Sequence, residues 1–335
     1  MSTHADNIVL SRLSTGYKSR KTERIVSKRI DLSVLSGELV MLMGPNGCGK
    51  STLMLTMAGL LQPMSGGITI AGCDMHSLRM SEKAKMLSLV LTDKITTSNL
   101  TVHDIVVIGR YPYVSYRGRL SAEDKRIVSE SLTACRLTGF ESRLYSELSD
   151  GEKQRVMIAR ALAQQTPVML LDEPTAHLDL PSRLEVIAML RDLARNTYKS
   201  ILISTHEMDL ALQWADTVWL MDKGGDITCG TPEDLVLNHT FARVFGNDKL
   251  SFDPELGAFS VKHRAAVPVL VEGNGTSYKW TLNALHRNGF VETADTACTR
   301  KILIQGNGWM LQLENSSERH NSIGSLLHAL HCIHE

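Results

Sequence analysis

The chain has 335 residues, which is enough for one large domain and a small one, or for two medium domains. Apolar residues make up 43% and charged residues 21%, so a disordered, collagen-like or coiled-coil chain is excluded. The 36 basic and 36 acidic residues cancel, and this balance gives no reason to expect a nucleic-acid partner.

Two further features of the sequence bear on where the protein works. No apolar run approaches the roughly 20 residues that cross a bilayer, and the N-terminus lacks the pattern of a secretory signal. The 6 cysteines are scattered without a CxxC pair. We therefore expect reduced thiols in a cytosolic protein.

Short apolar runs alternate with helical patterns between about residues 38 and 222. The runs predicted as strands are Glu38–Met43, Leu87–Leu91, Val168–Leu171, Ile201–Ile203 and Val218–Met221. Strands that are apolar throughout and separated by helices predict a mostly parallel sheet, buried on both faces.

From about residue 95 to 165 the pattern is helical, with no evident strand. The predicted helices are Thr101–Arg110, Ser121–Leu137 and Glu152–Gln165. Ser121 with Asp124 has the form of an N-cap followed by an acidic residue in the first turn. A helical subdomain is therefore expected within the α/β core.

Residues 44–51, Gly-Pro-Asn-Gly-Cys-Gly-Lys-Ser, fit the pattern G-x-x-x-x-G-K-[ST] between a predicted strand and a predicted helix, Ser51–Leu61. In this phosphate loop, glycines let backbone N–H groups turn towards phosphate oxygens, and the helix N-terminus favours negative charge. Lys50 would reach the β- and γ-phosphates, and the Ser51 hydroxyl would ligate Mg²⁺. The residues predicted to hold the nucleotide are Gly44, Pro45, Asn46, Gly47, Cys48, Gly49, Lys50, Ser51 and Thr52.

Cys48 lies inside this loop, next to a helix N-terminus and to Lys50. Both neighbours favour the thiolate, so the sequence predicts a lowered pKa and raised reactivity for Cys48.

Two acids, Asp172 and Glu173, follow the apolar run Val168–Leu171. Ligands of open α/β sheets bind beyond the carboxyl ends of the strands, so these carboxylates are expected beside the phosphates. Asp172 suits Mg²⁺ ligation, and Glu173 suits the general base that activates water.

The segment Leu148–Glu152, Leu-Ser-Asp-Gly-Glu, precedes the helix that leads towards these acids. With its continuation Lys-Gln-Arg-Val-Met-Ile-Ala-Arg-Ala-Leu, it resembles the signature segment of ABC-type ATPases. Asp150 and Glu152 stand where the family usually has Gly and Gln. The resemblance implies that Ser149 and the Gly151 backbone contact the ATP of a second copy.

Other residues also resemble residues of the family, and they occur in the same order along the chain. Tyr17 resembles the aromatic residue that stacks on adenine. Asp179 resembles the residue that couples the two nucleotide sites, and His206 the histidine that contacts the γ-phosphate. Thr92 stands where the family has a Gln, and our hypothesis is that Asp93 replaces that Gln through a bridging water.

The segment Gly109–Tyr113, Gly-Arg-Tyr-Pro-Tyr, narrows the resemblance to the ATPases of iron–siderophore, haem and cobalamin importers. The resemblance covers roughly residues 7 to 264 and implies an ATP- and Mg²⁺-dependent ATPase. It also implies a homodimer bound to separate integral membrane permease subunits at the cytoplasmic face of the inner membrane, and indirectly an extracytoplasmic substrate-binding protein. The alternatives are a soluble non-transport ABC ATPase, acting as an assembly or mechanochemical factor, and a binding module with an idle ATPase.

Residues 265–335 lie outside the resemblance and are predicted to form a small α+β domain, beside the ATP-binding domain of residues 1–264. Its predicted elements are a strand at Pro268–Val271, a helix at Tyr278–Arg287, a hairpin of Lys301–Ile304 with Trp309–Leu313, and a helix at Ile323–Ile333. The Gly273-Asn274-Gly275 segment favours a plain turn. The terminal cluster His328, His331, Cys332 and His334 favours a ligand-free helix over a metal or haem site.

Overall fold

The computed structural model describes residues 6–19, 22–92, 99–114, 119–247, 250–261, 267–306, 308–314 and 316–332. The chain divides into two compact units. The first consists of Met1–Gly246 with Phe252–Phe259, and the second of Asn247–Ser251 with Ser260–Glu335.

The strands up to residue 261 are β1 (Asp6–Lys18), β2 (Glu23–Leu35), β3 (Leu39–Met43), β4 (Ser65–Ile70), β5 (Cys73–Asp74), β6 (Leu87–Val90), β7 (Val168–Asp172), β8 (Ser200–Ser204), β9 (Thr217–Met221), β10 (Ile227–Gly230), β11 (Leu250–Asp253) and β12 (Ala258–Val261). The helices of the same region are α1 (Lys50–Met57), α2 (Met80–Met86), α3 (Val102–Ile108), α4 (Ala122–Ala134), α5 (Asp150–Ala163), α6 (Leu180–Thr197), α7 (Met208–Trp214), α8 (Pro232–Leu237) and α9 (Thr240–Phe245).

The central sheet of the first unit has, among the described residues, the strand order β10-β9-β3-β8-β7-β6. Its strands pair in parallel except β10, which lies antiparallel at one edge. Alternate side chains point to opposite faces. Met41 and Leu171 pack on the face covered by α3 to α6, and Leu42 and Leu170 pack on the face covered by α1 and β1. The mostly parallel, doubly buried sheet predicted from the sequence is confirmed.

Several helix ends differ from prediction. α3 ends at Ile108 instead of Arg110, and α5 spans Asp150–Ala163 instead of Glu152–Gln165. In two further helices a left-handed residue explains the difference. α1 ends at Met57 instead of Leu61, because Gly59 has a left-handed backbone (φ 71°) and stops the helix. α4 ends at Ala134 instead of Leu137, because Arg136 also turns left-handed (φ 57°). The start of α4 is as predicted, since the Asp124 backbone N–H donates to Ser121 Oγ at 3.1 Å.

A second sheet, antiparallel and in the order β2-β1-β4-β5, is not predicted by the sequence pattern. Pairing between β1 and β2 shifts register at several points, for example between Leu10 and Leu13. Each bulge moves the buried positions out of strict alternation, and this hides the strands from a search for a period of two.

The helical subdomain is held by a buried ion pair at the C-terminal end of α3. Arg110 Nε lies 2.9 Å from Asp124 Oδ1 in α4, and Arg110 Nη1 donates to the Ala163 carbonyl at the end of α5 at 2.7 Å. Arg110 is only 3% exposed, so one guanidinium joins three helices in the core of the subdomain.

The second unit contains β13 (Val267–Glu272), α10 (Gly275–Arg287), β14 (Phe290–Glu292), β15 (Lys301–Gln305), β16 (Gly308–Gln312), β17 (Ser317–His320) and α11 (Ile323–Cys332). The strand order is β14-β13-β15-β16-β17, and β15 and β16 form the predicted hairpin. α10 begins at Gly275 instead of Tyr278, so Gly273-Asn274-Gly275 leads directly into the helix. A core of apolar residues, including Val269, Ile302 and Leu326, lies between sheet and helices.

Candidate functional site

The phosphate loop joins the end of β3 to the start of α1, as its pattern predicts. Gly44 closely approaches the sheet: a Cβ there would lie 2.3 Å from the Met221 carbonyl oxygen at the end of β9. Lys50 is the first residue of α1, and its Nζ donates to the carbonyl oxygens of Gly44 at 2.9 Å and Pro45 at 3.3 Å. The ammonium group therefore lies over the loop, where phosphate oxygens are expected.

Lys50 interacts electrostatically with Asp172 and Glu173, the two acids at the carboxyl end of β7. Burial lowers the pKa of Lys50, and Cys48, Glu173 and Asp172 oppose that shift by attraction. The structure thus brings Lys50, Asp172 and Glu173 into one electrostatic environment, although they come from segments about 120 residues apart in the chain.

Asp172 and Glu173 are oriented by Ser204, the last residue of the neighbouring strand β8. Ser204 Oγ donates to Asp172 Oδ1 at 2.5 Å, and the Glu173 backbone N–H lies 3.0 Å from Ser204 Oγ and 3.1 Å from its carbonyl oxygen. Ser204 was not among the predicted site residues. Its position at the end of an apolar strand beside the acid-tipped strand is the signal that could have identified it.

His206 lies next to Glu173, with its Nε2 2.8 Å from Glu173 Oε1. Both side chains are little more than one third exposed, so water and a ligand can reach them. Glu173 has a left-handed backbone (φ 47°), a strained conformation that occurs preferentially at functional sites.

Thr92 and Tyr17 also lie at this site. The Thr92 hydroxyl donates to the Asp172 carbonyl at 2.9 Å, so Thr92 contacts the proposed metal-binding residue through the backbone only. The Tyr17 hydroxyl is 3.0 Å from Thr52 Oγ1 in α1, and the residue is 49% exposed. Asp93 lies outside the described residues.

Cys48 differs from its prediction. Its side chain is 4% exposed and belongs to the core cluster beneath the central sheet. Burial raises the pKa of the thiol, and the nearby Lys50 opposes the shift only in part. The predicted lowering of the pKa is wrong, because loss of hydration outweighs the helix N-terminus and the cation.

Ser149, Gly151 and Asp179 form a separate group. Ser149 caps α5 reciprocally with Glu152: its backbone N–H donates to Glu152 Oε2 at 2.7 Å, and its Oγ accepts from the Glu152 backbone at 3.3 Å. Asp179 caps α6 by accepting from the Ser182 backbone at 3.1 Å, and hydrogen bonds from the Ser182 side chain and backbone lower the pKa of Asp179. Among the described residues, no hydrogen bond or ion pair joins this group to the phosphate loop.

In the second unit, Cys332 Sγ lies 3.6 Å from His328 Nδ1. The described part of the chain contains no group of three or more His, Cys, Asp or Glu side chains suited to hold a metal. His334 lies outside the described residues.

In the described part of the chain, no helix is both long enough and apolar enough to cross a bilayer.

A glycine-rich loop between a buried strand and a helix, facing an acid-tipped parallel sheet, defines a P-loop nucleotide hydrolase. The family model for ABC transporters matches residues 27–176, and that for the iron ABC transporter C-terminal domain matches residues 266–331. These matches, and relatives that are 33–37% identical over at least two thirds of the chain, show that the chain belongs to the ABC transporter ATP-binding proteins. Its core is an ABC-type ATPase domain that binds ATP.

Two relatives illustrate the family. The petrobactin import ATP-binding protein FpuC of Bacillus anthracis is 37% identical over 67% of this chain and 83% of that protein. The iron(3+)-hydroxamate import ATP-binding protein FhuC of Bacillus subtilis is 33% identical over 72% of this chain and 89% of that protein.

Solved structures show the same fold. CbiO1 of Clostridium perfringens, part of the ABC transporter complex cbiONQ, is 25% identical, with a TM-score of 0.62 over 75% of this chain and 97% of that one. A dimeric bacterial ABC transporter cassette is 25% identical, with a TM-score of 0.58 over 67% and 98%.

Proposed function

We propose that this protein is the ATP-hydrolysing subunit of an ABC importer for a metal chelate, such as an iron–siderophore, haem or cobalamin. The observation that carries the proposal is the double match: an ABC ATPase core is followed by a segment that fits the iron ABC transporter C-terminal domain. Relatives named for petrobactin and iron-hydroxamate import support the same substrate class. Residues 1–264 would be the ATP-binding domain, and residues 265–335 a separate small domain.

Within this proposal, the phosphate loop and Lys50 hold the ATP phosphates, and Tyr17 stacks on adenine. The placement of Lys50 Nζ over the loop and the exposed ring of Tyr17 next to α1 support these roles. Thr52 fixes the Tyr17 hydroxyl and so contributes to the same pocket.

Ser51 and Asp172 would hold Mg²⁺, because they offer the oxygen ligands that this cation prefers. Ser51 is exposed in the first turn of α1, and Ser204 orients the Asp172 carboxylate at the sheet edge, so the residues present suit the ion. When bound, Mg²⁺ would neutralise phosphate charge.

Glu173 would act as the general base by accepting a proton from water. Its backbone is fixed by Ser204, and His206 Nε2 lies within hydrogen-bond distance of the carboxylate. His206 would also contact the γ-phosphate.

The exposed positions of Ser149 and Asp179 support a homodimer, in which each ATP lies between the phosphate loop of one copy and the signature segment of the other. Asp179 would then couple the two sites. A dimeric structure is known for the related cassette. We further propose that the dimer binds integral permease subunits at the cytoplasmic face of the membrane and serves an extracytoplasmic substrate-binding protein.

The proposal is tested by purifying the tagged chain from its native membranes and by measuring uptake of a labelled ferric siderophore, haem and cobalamin. We expect co-purification of a polytopic membrane protein, and loss of uptake of one chelate when the gene is deleted. Wild-type protein should restore uptake, and Glu173→Gln should not. An ATPase that stays free of membrane protein, with normal uptake in the deletion strain, would instead support the soluble non-transport alternative.

A further inference from the structure

Glu173 and His206 come from different loops beyond the carboxyl ends of β7 and β8. The paired strands end with Asp172 opposite Ser204, and the contacts from the Glu173 backbone to Ser204 extend the pairing by one residue. Beyond that point both side chains are partly exposed to solvent. Contacts between the two loops are therefore in a position to influence their separation of 2.8 Å.

Arg183, near the start of α6, provides such a contact. Its Nε donates to the Leu178 carbonyl at 2.6 Å, directly before Asp179 in the loop that also carries Glu173. Its Nη1 lies 3.1 Å from Oε1 of Glu207, the residue that follows His206. One guanidinium thus binds the loop after β7 and the loop after β8 at the same time.

Both ends of this link are fixed locally. The Arg183 backbone N–H donates to the Asp179 carbonyl at 3.0 Å, within the first turn of α6. The Glu207 backbone N–H donates to Thr205 Oγ1 at 3.0 Å, and its carbonyl accepts from Ala211 in α7. The side chains of Arg183 and Glu207 are 36% and 21% exposed, so water screens the ion pair only in part.

We propose that Arg183, through its ion pair with Glu207, is a positioning residue for ATP hydrolysis that holds His206 against Glu173. The inference rests on the proposed ATPase function. It adds a specific link between the Asp179 loop and the His206 loop. Arginine suits the task because its planar group donates to a carbonyl and a carboxylate from separate nitrogens, which a lysine ammonium cannot do in the same geometry.

The kinetic consequence follows from where the link acts. Arg183 does not contact the phosphate loop or Tyr17 through any hydrogen bond or ion pair among the described residues, so ATP binding should be little affected. A shift of about 1 Å between catalytic groups can lower a rate by about a hundredfold. The link should therefore influence kcat far more than KM.

The experiment measures steady-state ATPase kinetics of the full chain for wild type, Arg183→Gln, Glu207→Gln and the double variant. We expect each single variant to lower kcat at least about tenfold while KM for ATP stays within about twofold, as for loss of an interaction that acts in the transition state. The double variant should be no slower than the slower single variant, because both remove the same link.

Arg195→Gln is the matched control: Arg195 lies on the same helix and makes a more exposed ion pair, with its Nη2 3.2 Å from Asp216 Oδ1. It should leave kcat within about twofold of wild type, as is usual for exposed pairs. Arg183→Lys retains the charge and should give an intermediate kcat, which keeps the inference testable if Arg183→Gln folds poorly.

The inference is overturned if wild type hydrolyses ATP and Arg183→Gln and Arg183→Lys do so equally well. It is also overturned if the kcat losses of the two single variants multiply in the double variant. A wild-type chain without ATP turnover would overturn the proposed function itself, so the two failures are distinguishable.

Discussion

Lys50 and Ser149 both stand at the start of a helix, yet their surroundings differ. Lys50 is 7% exposed, and its ammonium group donates to carbonyls of the phosphate loop. Ser149 is exposed and satisfies the backbone of its own helix through Glu152. The chain itself completes the surroundings of Lys50, whereas the signature segment presents its polar groups to solvent. In the proposed homodimer, a second copy would therefore cover Ser149, whereas Lys50 needs no partner.

The largest effect is expected for Glu173→Gln, which tests the part of the proposed ATP site that lies within one chain, around Lys50 and Glu173. The amide keeps the shape of the side chain but cannot accept a proton from water, so hydrolysis should fall by about a hundredfold to ten-thousandfold. ATP binding should remain, and size-exclusion chromatography with ATP should show a persistent dimer. Glu233→Gln, at an exposed position in α8, is the control and should behave as wild type. A dimer fraction unchanged by ATP would contradict the role of Glu173.

The second prediction tests the part of the ATP site that a second copy would contribute in the proposed homodimer, which is the signature segment around Ser149. Lys50→Ala removes the phosphate-loop cation, and Ser149→Arg places a long side chain on the signature segment. Each variant alone should be inactive. An equal mixture should regain up to about a quarter of wild-type activity, because half of the dimers are mixed and each has one intact composite site. Failure of the mixture to regain activity, although both variants fold, would argue against a shared site.

The sequence could predict the features that adjacent residues encode, and it could not predict those that depend on distant segments. The phosphate loop, the apolar strands and the β15–β16 hairpin are encoded by adjacent residues, so local patterns sufficed. The N-terminal sheet was missed because bulges between β1 and β2 interrupt the alternation of buried side chains.

Contacts between distant segments also could not be predicted from the sequence. Ser204 and Asp172 are 32 positions apart, and only the pairing of β7 with β8 brings them together. The Arg183–Glu207 link likewise depends on where α6 and α7 begin. Cys48 shows the reverse case: its sequence neighbours favour a thiolate, but tertiary packing buries the sulfur.

A smaller effect is expected from Thr92→Val, which removes a hydroxyl just beyond the carboxyl end of β6 while keeping a β-branched shape. The lost hydrogen bond to the Asp172 carbonyl is worth about 0.5–1.5 kcal/mol, so ATPase activity should fall by at most about tenfold, even if all of that free energy acts in the transition state. Thr133→Val removes a comparable bond to the Ser129 carbonyl in α4, away from the site, and should leave activity unchanged. A Mg²⁺ titration of both variants measures the effect, and equal curves would show that Thr92 does not help to orient Asp172.

The smallest effect on activity is expected from thiol alkylation at neutral pH. Because burial raises the pKa of Cys48, its thiolate fraction is low there and increases as the pH rises towards that pKa. Peptide mapping after brief treatment with iodoacetamide should find the exposed Cys73 modified at least about tenfold faster than Cys48, with ATPase activity retained. Labelling of Cys48 should accelerate at alkaline pH and should slow again when ATP covers the loop. Cys73→Ala is the control, since it removes the fast reaction without altering the rate at Cys48. Rapid labelling of Cys48 at neutral pH, with parallel loss of activity, would instead mean that the loop opens often enough to expose the sulfur beside Lys50.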